Sequence, residues 1–124
     1  MNFNIEIVKR QIISVYLDLY GSDRRDEIWS LGDCIDVFRY FYRRYIEIFD
    51  LWPPRISNET VKNIILIFPY LRDDFNREFD LSPEDYPPMI DAYFYQHFED
   101  GCNYSIAHFM SGNIRALRYF ETLY

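Results

Sequence analysis

The side chains in this sequence with the most chemical potential are carboxylates and aromatic rings crowded into one stretch. Residues 73–100 hold nine acids, Asp73, Asp74, Glu78, Asp80, Glu84, Asp85, Asp91, Glu99 and Asp100, against a single base, Arg77. The 72 residues before it carry ten acidic and ten basic side chains, and residues 101–124 carry only Arg115, Arg118 and Glu121. The formal charge of −7 therefore comes from one local field. A field of one sign steers and holds partners of the other. Tyr86, Tyr93, Phe94, Tyr95 and Phe98 are threaded through the same acids. We expect a surface that binds a basic partner, with the nine acids, Tyr86 and Tyr95 as its contact residues.

Other chemistry finds less support. Paired carboxylates serve acid–base catalysis only when one lies in an apolar cleft with a raised pKa, and these acids stand at turns and helix ends. Glu84 and Asp85 fall in a first helical turn, where the helix dipole favours a carboxylate. Neither a G-x-S-x-G elbow, a P-loop nor a dinucleotide fingerprint occurs. His97 and His108 lack H-x-x-x-H or E-x-x-H spacing, and Cys34 and Cys102 belong to no C-x-x-C, so no zinc site is expected. His97 sits mid-way across an apolar arc with Ile90, Tyr93, Phe94 and Phe98 and reads as a core histidine with one hydrogen-bond partner. Asp73, Asp74, Asp80 and Asp100 lack the D-x-D-x-D-G order of a calcium loop. The chain is expected to be no enzyme and to need no cofactor or metal.

Helical periodicity supplies the frame that must position the acids. Ile5, Val8, Ile12, Val15, Tyr16 and Leu19 recur at three- and four-residue steps, and Gly21 offers a stop. Phe3, Ile5 and Ile7 also alternate, so the stripe could open as a strand. A longer stripe, Leu31, Ile35, Phe38, Tyr42, Tyr45 and Phe49, follows the cap candidate Ser30 and ends before Pro53–Pro54. Its far side, Asp36, Arg39, Arg43, Glu47 and Asp50, reads as a solvated face with weak ion pairing. Ser57 starts a third helix through Val61, Ile64, Ile65 and Phe68 that Pro69 breaks. A short fourth helix is expected over 70–79. Ser82-Pro83-Glu84-Asp85 is a start signal, and a fifth helix is expected from Met89 to Glu99. Residues 105–110 and 113–123 form a closing pair bent at Ser111–Gly112. The expected architecture is all-α, a single-domain bundle of five to seven short and medium helices over residues 1–124.

Size and composition agree with that frame. A chain of 124 residues suits one domain and buries enough surface for a core without staples. Twelve Tyr and eleven Phe exceed what so small a core needs, so some tyrosines are expected at the surface. The acidic balance opposes binding to nucleic acid or to anionic membranes. No apolar run is long enough to span a bilayer, and the N-terminus lacks the continuous apolar stretch of a secretion signal. A cytoplasmic protein with reduced thiols, monomeric before it meets its partner, is the expectation.

The run Tyr86-Pro87-Pro88-Met89-Ile90-Asp91-Ala92-Tyr93-Phe94-Tyr95-Gln96-His97-Phe98-Glu99-Asp100 resembles the core motif of small immunity proteins from contact-dependent growth inhibition systems. Tyr93-Phe94 and Gln96 match it, Phe98 takes its final aromatic, and Glu99-Asp100 supply its acids. Tyr95 and His97 depart from it, standing where the motif has His and Asp. The resemblance spans 15–30 residues and leaves the first two thirds of the chain unplaced. It implies a helical cytosolic protein that neutralises a toxin domain delivered by a neighbouring cell. Such toxins are often nucleases with Lys- and Arg-lined grooves, which an acidic, tyrosine-rich surface would occlude. A phage- or plasmid-encoded nucleic-acid mimic would use the same surface, and a self-associating helical scaffold would use the aromatic excess instead.

Overall fold

In the computed structural model, residues 5–21, 29–72, 75–95 and 104–122 are described. They form six α-helices and one small hairpin: α1 (Ile5–Tyr20), α2 (Leu31–Phe49), α3 (Asn58–Ile67), β1 (Tyr70–Arg72), β2 (Glu78–Asp80), a 3₁₀ turn (Pro83–Asp85), α4 (Tyr86–Tyr95), α5 (Ile106–Phe109) and α6 (Gly112–Thr122). The all-α reading holds, and one hydrophobic cluster draws on every helix except α6, which packs partly buried side chains against it.

Local chemistry sets the helix ends. Gly21, at φ +71°, closes α1 with its N–H on the Leu17 carbonyl at 2.7 Å. Ile5 and Ile7 belong to this helix, which removes the alternative of an opening strand. Ser30 opens α2 with a reciprocal box: its hydroxyl accepts from the Asp33 N–H at 3.1 Å, and its own N–H donates to the Asp33 carboxylate at 2.9 Å. The buried stripe of α2 adds Cys34, Val37 and Phe41 to the expected residues Ile35, Phe38, Tyr42 and Tyr45. Its outer face carries the pairs Asp36–Arg39 and Arg43–Glu47 in solvent, as expected.

The helix expected over 70–79 is corrected: β1 and β2 pair there as an antiparallel hairpin, Tyr70 with Asp80, Leu71 with Phe79 and Arg72 with Glu78. Leu71, Phe75 and Phe79 are four apart and fit a helix, yet the backbone cannot continue one. Pro69 has no N–H to give the preceding turn, and Asn76 adopts a left-handed φ of 61° that turns the chain back. The last carbonyls of α3 are satisfied from elsewhere, as a helix end requires. Ile67 accepts from the Arg115 guanidinium, Phe68 from the Tyr86 hydroxyl at 3.0 Å, and Pro69 from the Leu81 N–H at 2.7 Å.

The next helix begins three residues earlier than expected, at Tyr86. Pro87 and Pro88 fall inside its first turn, where the amide hydrogens they lack would have had no intrahelical partner. The Asp85 carboxylate accepts from the Ser82 N–H at 2.8 Å and fixes the entry. α4 is described to Tyr95; the expected continuation to Glu99, with His97 and Phe98, lies outside the described residues. Ser105 caps α5 by accepting from the His108 N–H at 3.1 Å, and the bend at Ser111–Gly112 precedes α6 as expected.

At the centre, the Trp29 and Phe68 rings stack at 5.2 Å, and Tyr86 stands edge-on to both. The Trp29 indole N–H donates to the Leu81 carbonyl, and the Tyr16 hydroxyl to the Trp29 carbonyl, each at 3.0 Å. These bonds tie the segment before α2 and the segment after the hairpin to one aromatic centre. α6 inserts two buried cations, Arg115 and Arg118. Arg118 reaches Glu121 at 2.9 Å and the Ala92 carbonyl at 3.5 Å, which clamps α6 to α4.

Candidate functional site

The structure divides the eleven expected contact residues. Asp73, Asp74, Glu99 and Asp100 lie outside the described residues. Tyr86 is corrected outright. It is 0% exposed, because its ring completes the Trp29–Phe68 cluster while its hydroxyl donates to Phe68 and accepts from Arg115 at 3.2 Å. Burial pushes its pKa well up, a rise that the nearby Arg115 charge only partly opposes. A buried tyrosine with both hydroxyl roles filled has nothing to offer a partner.

Three acids have work inside the fold. Glu78 faces Arg72 across the hairpin at 3.4 Å. Half-buried Asp85 holds the start of the helical segment through Ser82. Asp91 accepts from the Tyr40 hydroxyl at 2.8 Å and from the Arg44 Nε at 3.0 Å, so it pins α4 to α2. Burial first, and then the Asp91 hydrogen bond and charge, raise the Tyr40 pKa above its ordinary value. The Arg44 pKa rises too, chiefly through its bond to Glu47 at 2.7 Å and then through Asp91. Asp80 and Glu84 are different. Both are exposed, and neither is paired with a cation among the described residues.

The rings complete the map. Tyr95, the last described residue of α4, is 89% exposed. Tyr93 and Phe94, threaded through the same acids, are buried against Phe41. α4 runs alongside α2, with Tyr40 and Arg44 beside Asp91 and Phe49 beside Phe94. Ten residues at 1.5 Å each put Tyr95 about 15 Å from Asp85. The acids of the hairpin and Tyr95 therefore stand at opposite ends of one short helix.

Sequence reasoning missed Phe75, which is 80% exposed at the hairpin turn. The helix assigned to 70–79 hid it; Pro69 and Asn76 read as stop and turn would have placed it at a tip. Also missed were the exposed residues Ile48, Leu51 and Trp52 around the end of α2. An apolar stripe read at helical spacing carries no mark for residues on its flank.

A hollow of about 280 Å³ between α1 and α3 is lined by Val15, Asp18, Leu19, Asn58, Glu59 and Lys62. His108 Nδ1 lies 2.8 Å from the Tyr93 hydroxyl, partly buried at the edge of the core. Among the described residues no three His, Cys, Asp or Glu side chains could hold a metal ion, and no helix is long and apolar enough to cross a membrane. Cys34 is buried, and Cys102 lies outside the described residues. No protein family, curated protein or solved structure matches this chain.

Proposed function

We propose that this protein acts by binding another protein and covering a basic groove on it, as an immunity protein does when it neutralises a toxin delivered by a neighbouring cell. One observation carries the reading. The two most exposed large apolar side chains of the described molecule, Tyr95 and Phe75, both fall within the acidic stretch 73–100. Exposed rings are costly in water unless something covers them, and rings dominate the energetics of protein interfaces. The carboxylates of Asp80 and Glu84, at the hairpin end of α4 and unpaired among the described residues, select a cationic partner and speed its approach. The partner is a toxin domain, most simply a nuclease, whose Lys and Arg side chains normally hold phosphate. The resemblance of residues 86–100 to contact-dependent growth inhibition immunity proteins points the same way. Of the two tyrosines expected to meet the partner, only Tyr95 is exposed.

A growth assay tests this. Cells expressing the C-terminal domain of a large secreted protein encoded beside this gene should survive when this chain is co-expressed, and the lack of any such neighbour would itself count against the reading. Continued killing at equal expression would refute the reading. The exposed Ile48, Leu51 and Trp52 favour a second reading, self-association through apolar surface. Sedimentation at low and high salt separates the two, since an apolar oligomer persists in salt and the proposed inhibitor is a monomer throughout.

A further inference from the structure

The hairpin presents Phe75 on a supported ladder. The Arg77 guanidinium lies over the Phe75 ring at 5.3 Å and over the Phe79 ring at 5.9 Å. Phe79 in turn meets Phe120 of α6 edge-on at 5.5 Å. Ring, cation, ring and ring thus run from α6 out to the turn, and α6 is itself anchored by buried Arg115 and Arg118. A side chain held this way loses little freedom when a partner closes over it, which is what makes rigid aromatic anchors effective. Leu71 and Phe79 share the inward face of the ribbon, whereas Arg72, Glu78 and Asp80 occupy its outward face and are exposed. Glu84 follows in the next turn, also exposed.

The geometry points to this hairpin as a wedge that enters a groove on a partner protein, with Phe75 in an apolar pocket and Asp80 and Glu84 against a wall of Lys and Arg. The inference rests on the binding function proposed above and adds its inserting element and its anchor. Charge decides the occupant. A nucleic acid or an anionic lipid surface would meet carboxylates with phosphates, and a second copy of this chain docked symmetrically through the same hairpin would set Asp80 and Glu84 against their counterparts. A cationic protein groove suits the net charge of the stretch 73–100, with Arg72 paired to Glu78 and Arg77 laid over the Phe75 ring.

Calorimetric titration with the toxin domain that the growth assay identifies tests the assignment. Phe75→Ala should weaken binding by about 30-fold or more, the loss typical of an interface anchor, while the unfolding temperature stays unchanged because the ring is exposed. Phe75→Leu should recover part of the loss. If Phe75→Ala binds as wild type does while Asp80→Lys/Glu84→Lys weakens binding, the wedge is wrong and the binding function stands. If wild-type protein shows no binding, the proposed function falls and the wedge with it. A wild-type dimer that Phe75→Ala dissolves would assign the hairpin to self-association and overturn the inference.

Discussion

Tyr86→Phe separates the two roles that residue 86 could have, because the change removes one oxygen and keeps the ring. In the fold that oxygen donates to the Phe68 carbonyl at 3.0 Å and accepts from Arg115 at 3.2 Å, with the side chain 0% exposed. Without it, the Phe68 carbonyl at the end of α3 loses its buried donor. Arg115, whose Nε already lacks a partner among the described residues, loses an acceptor. A stranded buried group costs about 1–3 kcal/mol, and a bond to a charged group is of similar size. The two effects overlap, so a destabilisation of about 2–4 kcal/mol is expected. That is a large part of the roughly 5–15 kcal/mol that holds a domain together. At this chain length the midpoint of thermal unfolding should fall by on the order of 10 °C. Urea unfolding followed by circular dichroism gives the free energy, and titration of the folded variant with the proposed toxin partner gives the affinity. The reasoning predicts lower stability with affinity per folded molecule unchanged. Unchanged stability together with weaker binding would return Tyr86 to the surface and refute it.

Alkaline pH should unfold the protein. Burial raises the pKa of both Tyr42 and Tyr86 in the fold above the ordinary value of 10.0; the stability they contribute is complete below pH 10 and drains away as pH climbs toward the folded values. Circular dichroism across pH 9–12 should show the loss, and Tyr42→Phe should make it shallower. Ser30→Ala removes the hydroxyl that caps α2 and should cost about 1 kcal/mol in urea unfolding. Asp91→Asn should cost less than about 1 kcal/mol, because the Arg44–Asp91 pair is partly solvated. The same variant should bring the Tyr40 pKa down toward its ordinary value in an ultraviolet titration, since Asp91 contributes to the rise.

Much of the frame was legible because it is local. A cap at Ser30 or Ser57, a left-handed glycine at 21 and a stripe at helical steps are decided within a few residues of chain. The hairpin was not legible, because Leu71, Phe75 and Phe79 satisfy a helical period and a strand period alike. Pro69 and the left-handed Asn76 decide between them, marks that the period masks, and the carbonyls of residues 67–69 then take their donors from Arg115, Tyr86 and Leu81, which are far along the sequence. Tyr86 was misplaced for the same reason, since aromatic composition predicts surface tyrosines without saying which ones a distant carbonyl will claim. Charge counting likewise identified the acidic stretch but not the use of its members. Glu78, Asp85 and Asp91 are engaged inside the fold, and of the described acids Asp80 and Glu84 are left to face solvent. Arg115 and Arg118 entered the sequence account only as charges, whereas long-range packing makes them buried ties between helices.

The association rate with the toxin domain that the growth assay identifies, followed by stopped flow for wild type and for Asp80→Lys/Glu84→Lys, tests the proposed binding surface most directly. Both carboxylates are exposed, so the double variant should fold as wild type does. At low salt its association should be at least about tenfold slower, with a flattened dependence on ionic strength. Equal rates for the two proteins at every salt concentration would contradict the account.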